Sequence, residues 1–271
     1  MTFRFSVRSV GVVLTSLACT VPSAGAQAPS AEPFVSGRDI AWLGAATVLS
    51  VGLMQFYARI ARASQDSSFQ KNGALRRVYN GFNPVNEKSL FAVGVLTYAG
   101  ARIAHAKSTA DIALHTTEAV FISGAIGTVA RGVLGRSRPF VSADRDAFDY
   151  KPGKGFTELK YRSFPSIHSS AAMATAAAVA TELRYRHARH RKVVTPVLYV
   201  LASGPGLIRI YGDKHWASDV LMGGALGVVT GNRTVRYAHG HPGNRVDRWL
   251  LGHASAGPGT DGPVIALGWQ F

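Results

Sequence analysis

The sequence predicts an all-α protein built as a bundle of six helices. Six long apolar segments follow one another along the 271 residues, and all are rich in Ala, Gly, Leu and Val. None shows the strict alternation of apolar and polar residues that is typical of a half-buried strand, and their length favours helices. Nearly half of the residues are apolar, which is enough to bury a sizeable core. The six segments are residues 40–58, 89–101, 112–134, 169–183, 193–207 and 217–229.

The first 26 residues have the layout of a secretory signal peptide. Arg4 and Arg8 give a basic start, an apolar stretch follows, and an Ala-Gly-Ala cleavage pattern closes the segment. We expect cleavage before Gln27 and export to the bacterial cell envelope, with the periplasm as the expected compartment. The alternative makes Cys19 a lipid-acceptor cysteine, and the three residues before it fit that pattern poorly. Cleavage leaves a chain without cysteine, so the fold depends on packing and not on disulfides.

The whole chain divides into four parts by composition. In order, a leader, a linker, a helical domain and a tail occupy residues 1–26, 27–38, 39–231 and 232–271. Small residues four apart, such as Gly223 and Gly227, indicate closely packed helices. In the tail, residues 264–271 follow a Gly-Thr-Asp-Gly turn and predict a strand or the second arm of a hairpin.

The net charge of +15 favours an anionic partner. Phosphorylated substrates and anionic lipid surfaces both fit. No segment resembles a nucleic-acid-binding module, and the dense basic run over residues 184–192 is typical of a polar connection between helices. Nucleic acid is therefore not expected as a partner, and nothing indicates an obligate protein partner.

Membrane attachment stays open at the level of sequence. Residues 40–58 form an uncharged stretch long enough to span a bilayer, whereas residues 112–134 contain His115 and Glu118. Basic residues are abundant in the connections on both sides, so charge asymmetry gives no orientation. We expect a helical bundle with membrane association through its first helix.

The first group of polar residues with recognisable chemistry is Arg131 with Arg138 and Pro139. Seven residues make two helical turns, so both arginines are expected on one helical face near a helix end. Pro139 disfavours helical geometry at the preceding residue and is expected to end the helix there. Two guanidinium groups that converge on one anion match the geometry of phosphate oxygens.

The second group, Pro165-Ser166-Ile167-His168, has the pattern of a helix start. Ser166 is expected as the N-cap or a first-turn residue. The free N–H groups and the positive dipole of a helix N-terminus favour a bound anion. His168 in the first turn is expected beside that anion.

The third group consists of Arg209, His215 and Asp219. The histidine and the aspartate are four residues apart, so we expect them on one helical face. The carboxylate can then accept the Nδ1 proton of His215 and leave Nε2 as an exposed lone pair, as a nucleophilic imidazole requires. Arg209 adds a third guanidinium.

Together the three groups resemble the motifs of the type 2 phosphatidic acid phosphatase and vanadium haloperoxidase superfamily, which includes the bacterial class A acid phosphatases. Its motifs are Lys-x6-Arg-Pro, Pro-Ser-Gly-His and Ser-Arg-x5-His-x3-Asp, and the match spans about 90 residues here. Three positions depart from the pattern: Arg131 replaces Lys, Ile167 replaces Gly and Ile208 replaces Ser. Ile167 is expected to narrow the pocket or to require a different backbone angle.

The resemblance implies a six-helix phosphatase that hydrolyses a phosphomonoester or lipid (pyro)phosphate through a phosphohistidine. In this chemistry His215 attacks phosphorus, His168 protonates the leaving oxygen and then activates water, and Asp219 orients His215. The implied phosphate ligands are Arg131, Arg138, Ser166, Ile167 and Arg209. No metal or other cofactor is expected in catalysis, because side chains supply the positive charge. Vanadate is expected to bind the same pocket as a transition-state mimic.

Two alternatives remain at this point: a vanadate-dependent haloperoxidase on the same scaffold, and a non-catalytic envelope protein that retains the fold. The sequence does not name the substrate, since phosphatidate, a polyprenyl pyrophosphate, a lipid A phosphate and soluble monoesters share one terminal group. The other histidines are given no role: His115 is expected to cap a helix or face solvent, and His239, His241 and His253 to form at most an adventitious metal site.

Overall fold

A computed structural model of the protein describes residues 34–52, 54–141, 144–241, 244–252, 254–259 and 262–267. The leader and most of the linker predicted from sequence lie outside the described residues. The helices, in chain order, are α1 (Gly37–Gly52), α2 (Met54–Ser64), α3 (Ser67–Gln70), α4 (Gly73–Phe82), α5 (Glu87–Ile103), α6 (Lys107–Leu134), α7 (Lys154–Thr157), α8 (Ile167–Tyr185), α9 (Arg191–Tyr211), α10 (Ala217–Gly240) and α11 (Arg245–Asp247). A 3-10 turn, Leu159–Tyr161, follows α7, and a π turn, Arg248–Gly252, follows α11.

The predicted all-α bundle is confirmed, with differences in the number and bounds of its helices. Each of the six apolar segments lies within helical structure, and short helices are added between them, so the described residues contain eleven α-helices and not six. The first predicted helix is broken into α1 and α2, whose axes differ by 73°. Helix α10 continues to Gly240, through residues that the sequence analysis assigned to the tail. Beyond it, the antiparallel strands β1 (Ala254–Gly259) and β2 (Gly262–Leu267) form a hairpin.

The centre of the bundle is a closely packed triplet, α6, α8 and α10. A Cβ atom at Gly223 would lie 2.3 Å from the carbonyl oxygen of Ser166, and one at Gly227 would lie 2.2 Å from that of Ser170. The facing side of α8 is lined by alanines, and Ala174 is fully buried. The close approach expected from the glycines four residues apart is therefore confirmed, because only glycine leaves room for the neighbouring backbone.

Helices α6 and α9 are long and apolar enough to cross a membrane. The bent pair of α1 and α2 would add a third such segment if it acts as one span. The two polar side chains of residues 112–134 argue against a membrane span, but His115 lies inside the bundle, where it does not disturb the apolar outer face. That face is exposed at Phe121 and Val129, and α9 exposes Val200 in the same way.

The segment between α6 and α8 is mostly irregular, as its glycines and prolines predict. Gly135 ends α6 in the left-handed region (φ 59°), and a Cβ there would lie 1.8 Å from the carbonyl oxygen of Lys151. An isolated bridge joins Arg136 to Tyr150. This segment therefore folds back over the end of α6 and forms one wall of the site described next.

Candidate active site

The three polar groups predicted from sequence meet at one end of the bundle. There α6 and α9 end, while α8 and α10 begin. The Nε of Arg131 donates to the carbonyl oxygen of Pro165 at 2.9 Å, which ties the end of α6 to the start of α8. The backbone N–H of Ser166 donates to the carbonyl oxygen of Asp219 at 2.9 Å, which ties α8 to α10. Residues far apart in the chain thus surround one small volume.

The arginines of the first group reach the site differently from the prediction. Helix α6 ends at Leu134, so Arg138 is not on the helix and the expected shared helical face is wrong. The chain turns at the left-handed Gly135, and the N–H of Arg138 is then held by the carbonyl oxygen of Lys160 at 3.0 Å. Gly135 lies four residues before Pro139 and ends the helix there. Because glycine has no Cβ atom, it adopts the left-handed backbone angles of a helix C-cap at little cost. Arg131 and Arg138 still approach each other from the helix and the loop.

Ser166 is the N-cap of α8, as the sequence predicts. Its Oγ accepts from the N–H of Ser169 at 3.5 Å, and its own N–H donates to the carbonyl oxygen of Asp219. The N–H groups of Ile167 and His168 occupy the first turn, where a helix has no internal acceptor for them. These two groups are the donors that α8 can offer to an anion.

Ile167 does neither of the things expected of it. It is helical and is not among the described residues with positive φ. Its side chain is buried, and its Cγ1 would lie 3.0 Å from a Cβ built on Gly127 of α6. The isoleucine therefore points towards α6, where a glycine makes room for it, and its backbone N–H stays at the helix start.

His168 lies between a guanidinium and a carboxylate. Nη2 of Arg209 is 2.5 Å from its Nε2, and Oε2 of Glu87 is 3.8 Å from its Nδ1. Burial, followed by the charges of Arg209, His215 and the two other arginines, lowers the pKa of His168 to about 3. Because Arg209 can only donate, Nε2 is the acceptor, and the imidazole is neutral in this state.

His215 and Asp219 are in contact, but not through a shared helical face. Helix α10 begins at Ala217, so His215 precedes the helix and Asp219 lies in its first turn. Nδ1 of His215 is 3.4 Å from Oδ2 of Asp219, and the same oxygen accepts from the N–H of Trp216 at 2.8 Å. Burial lowers the pKa of His215 to about 4, although Asp219 acts to raise it. The histidine is therefore a neutral, buried base above that pH.

Two residues that the sequence analysis missed hold Asp219 in place. Nη1 of Arg136 donates to its Oδ1 at 2.6 Å, and Oγ of Ser163 donates to its Oδ2 at 2.5 Å. Burial acts to raise the pKa of Asp219, but Arg136 and the hydrogen bonds from His215 and Ser163 outweigh it and keep the pKa low. The fixed carboxylate in turn favours the Nδ1–H tautomer of His215.

Arg136 is wholly buried, and the rings around it are those of Tyr57, Tyr150, Phe164 and Trp216, all within 6 Å of the guanidinium carbon. One signal for it was available in the sequence: a third arginine stands two residues before Arg138. Its aromatic surroundings come from four separate parts of the chain, and no local pattern indicates them.

The guanidinium groups that face the site are not fully paired. Nη2 of Arg131, Nε of Arg138 and Nε of Arg209 are buried and have no hydrogen-bond partner among the described residues. Buried N–H groups are rarely left without an acceptor, because the loss of hydration is costly. Burial and then the charge of Arg209 lower the pKa of Arg138. The site therefore has a surplus of positive donors, which an anion would satisfy.

The fold and the site define an all-α bundle in which buried, unpaired guanidinium groups lie between helix ends. A sequence profile of the PAP2 superfamily matches residues 113–241, which contain all three polar groups. Over this stretch, a little under half of its length, the chain is similar to the PAP2 superfamily.

Two known proteins are similar to the chain. Lipid A 1-phosphatase of Porphyromonas gingivalis is 39% identical over 69 residues, which are 26% of this chain and 15% of that protein. The chain thus matches less than a fifth of that relative's length. The crystal structure of a transmembrane PAP2-type phosphatidylglycerolphosphate phosphatase from Bacillus subtilis superimposes with a TM-score of 0.51 and 18% identity, covering 78% of this chain and 99% of that one. This likeness shows a shared fold.

Proposed function

We propose that the chain is a metal-independent phosphatase that hydrolyses a lipid-borne phosphomonoester or pyrophosphate through a phosphohistidine on His215. The observation that carries the proposal is the set of buried guanidinium N–H groups without partners beside two neutral histidines. A terminal phosphate supplies acceptors for these donors. It also places phosphorus next to a base whose tautomer is held by Asp219.

The first chemical step forms a bond between Nε2 of His215 and phosphorus and breaks the bond from phosphorus to the leaving oxygen. His168 gives the leaving oxygen its proton. In the second step water attacks the phosphohistidine, His168 takes a proton from that water, and the phosphorus–nitrogen bond breaks to release phosphate. The arginines and the N–H groups at the start of α8 stabilise the charge on the equatorial oxygens in both steps.

His168 must gain a proton before it can act as the acid. In the structure Arg209 donates to its Nε2, the atom that has to carry that proton. A bound phosphate competes for the Arg209 donors, and its negative charge raises the pKa of the nearby imidazole. We therefore expect substrate binding to release Nε2 of His168 and to favour its protonated form, with Glu87 facing Nδ1.

The lipid substrate class rests on the two named relatives and on the apolar outer faces of α6 and α9. One relative is named for lipid A 1-phosphate and the other for phosphatidylglycerolphosphate. Purified chain should be assayed for phosphate release from these two lipids, from phosphatidate, from a polyprenyl pyrophosphate and from a soluble nitrophenyl monoester. Preference for the soluble ester by kcat/KM would contradict the lipid assignment and leave the mechanism standing.

The mechanism is tested with the same assay in EDTA, with and without His215→Ala. We expect wild-type activity to persist in the chelator and the variant to be inactive. With a substrate radiolabelled in its terminal phosphate, a short reaction that is stopped without acid should leave the label on the wild-type protein and not on the variant. Activity that survives the substitution, or that needs an added divalent ion, would rule the mechanism out. Halide oxidation that appears on addition of vanadate would instead favour the haloperoxidase.

We also propose that the site faces the periplasm of an exported, membrane-associated chain. The one cysteine, Cys19, lies in the proposed leader, so the mature chain offers a clean background for single cysteines. Leu159 at the site end and Arg189 at the opposite end are both exposed. An impermeant maleimide applied outside the inner membrane should label Leu159→Cys, and Arg189→Cys reports which side the opposite end of the bundle faces. Absence of label at Leu159→Cys in intact cells, with labelling after lysis, would place the site in the cytoplasm.

A further inference from the structure

A second group of titratable side chains lies at the end of the bundle opposite the phosphate site. His115 near the start of α6, Glu182 near the end of α8 and His239 near the end of α10 point towards one another. Nδ1 of His115 is 2.5 Å from Oε1 of Glu182, and Nε2 of His239 is 3.1 Å from the same oxygen. Glu182 is fully buried and His115 is 4% exposed. The sequence-based expectation that His115 caps a helix or faces solvent is therefore wrong.

The three facing atoms form a set that binds divalent transition metals. Two imidazole nitrogens and one carboxylate oxygen all lie within 4.8 Å of one another. Bonds of about 2.0–2.2 Å to a tetrahedral Zn²⁺ put ligand atoms about 3.3 Å apart, so the ion would need the closest pair to open by less than about 1 Å. Two histidines with one carboxylate leave a fourth position for water.

Each of these three residues also has a contact on the side that faces away from the cluster. Nε2 of His115 is 3.5 Å from Oδ2 of Asp247, so that Nδ1 is left to face the cluster. Oε2 of Glu182 accepts from Nε of Arg186 at 2.9 Å, which leaves Oε1 facing inward. The ring of His239 stacks on Tyr185 with centroids 4.2 Å apart. A carboxylate on the outer nitrogen of a histidine is the usual support of a metal ligand, because it sets the tautomer.

We propose that His115, Glu182 and His239 bind one divalent transition-metal ion, Zn²⁺ by the chemistry of the ligands, and that Asp247 orients His115. The ion joins α6, α8 and α10 and ties the segment after α10 to them. His115 and Arg131 lie 16 residues apart on α6, about 24 Å along the helix axis, so the ion takes no part in phosphoryl transfer. Its role is structural, and it is independent of the proposed phosphatase activity.

The test uses the full chain, without a histidine tag, purified in detergent. The protein is stripped with chelator, incubated with excess Zn²⁺ and passed through gel filtration, and the zinc content is measured by mass spectrometry. We expect about one zinc per chain for the wild type. His239→Ala should lose it, and because His239 is partly exposed and the buried pair of His115 and Glu182 remains, this variant should still fold. The matched control is His187→Ala, an exposed histidine in the turn after α8, which should keep its zinc.

A second measurement separates a metal site from a cluster of hydrogen bonds. Asp247→Asn should weaken zinc affinity by about 10–100-fold, as loss of an outer-shell carboxylate does. Zinc should also raise the melting temperature of the wild type and leave that of His239→Ala unchanged. Less than stoichiometric zinc on the wild type after gel filtration, or equal loss in the His187→Ala control, would overturn the proposal. Phosphate release measured in parallel is expected to stay the same with and without zinc, so either proposal can fail alone.

Discussion

The two ends of the central helix triplet have opposite electrostatic character. At the site end, Arg131, Arg138 and Arg209 have buried N–H groups without a partner among the described residues, and both histidines are neutral. At the other end, each inward-facing nitrogen of the His115 and His239 rings meets a carboxylate oxygen. The same three helices thus present unpaired guanidinium groups at one end and a carboxylate shared by two imidazole rings at the other.

This difference indicates which ligand each end can take. Unpaired buried donors are stabilised by an anion, whereas ring nitrogens gathered round a carboxylate are stabilised by a cation. At both ends, burial raises the free-energy cost of a charged group that lacks a partner. Helix geometry keeps the two ends more than about 20 Å apart, so a substitution at one end should leave the other unchanged.

The largest expected effect is on His215, the proposed nucleophile. We expect His215→Ala to reduce kcat/KM by more than about 10³-fold, because no other group can form the covalent intermediate. Circular dichroism should show an unchanged helical spectrum. A loss smaller than tenfold would mean that another group attacks phosphorus and would break the assignment of this end to covalent chemistry.

The second effect concerns the surplus of donors. Arg138→Ala should lower kcat by about 10²–10³-fold, since a buried donor aimed at the transition state is removed. Lys151→Ala, which changes an exposed cation of the same loop, is the matched control and should remain near the wild type. Equal effects of the two substitutions on phosphate release would show that only the overall charge of this end matters.

The third prediction concerns the close helix approach that supports the site end. Gly223→Ala would bring a methyl group within 2.3 Å of the Ser166 carbonyl oxygen, and backbone cannot easily give way. We expect a loss of about 1–3 kcal/mol of unfolding free energy and reduced activity. Gly224→Ala places its Cβ 3.5 Å from Oγ of Ser169, an ordinary contact, and should be neutral or slightly stabilising. Similar melting temperatures for the two variants would contradict this packing.

The fourth prediction is the pH dependence of the site end. Because the pKa of His215 is lowered to about 4, kcat/KM should fall below about pH 4. The pKa of His168 is about 3 and this histidine must take up a proton to act, so kcat/KM should also decline as the pH rises through the neutral range. Asp219 acts to raise that pKa, so Asp219→Asn should move the acid limb to lower pH. On the alkaline side kcat should fall as His168 loses its proton in the complex. Activity that stays flat to pH 10 would exclude His168 as the acid.

The free energy of unfolding should also depend on pH through His168 and His215. Both site histidines have folded pKa values below that of an unfolded histidine, about 3 and about 4 against 6.5. The unfolded chain therefore takes up protons that the folded chain does not, and the free energy of unfolding should fall as the pH drops from about 6.5 towards 4. Inorganic phosphate should reduce this loss by binding the folded state. Thermal melts across this range, with and without phosphate, give the measurement.

The smallest effect is expected from the opposite end. His239→Ala should leave kcat/KM within about twofold of the wild type, because it lies more than about 20 Å from the site along α10. The assay is run well below the melting temperature so that lost stability does not count as lost activity. A tenfold loss under those conditions would show that the two ends are coupled.

Much of this arrangement could be read from local sequence patterns. The six apolar segments, the N-cap at Ser166 and the glycines of α10 all follow from periodicity, caps and residue size, which act over a few residues. Where local patterns compete, the prediction was wrong. Pro139 led to the prediction that α6 ends at Arg138, but the left-handed Gly135 ends the helix earlier. The four-residue spacing of His215 and Asp219 suggested one helical face, but the helix begins between them.

By itself the sequence determined which segments are helical and which side chains are candidates for phosphate chemistry, because helix periodicity, capping and motif spacing are local properties. Only the tertiary structure decided how distant residues pair. Arg136 reaches Asp219 across 83 residues, and His115 reaches Glu182 across 67. Such pairs depend on how closely α6, α8 and α10 approach, and that distance is set by glycines and alanines on facing helices. Packing therefore gives the two ends their different groups of side chains, although each residue is visible in the sequence.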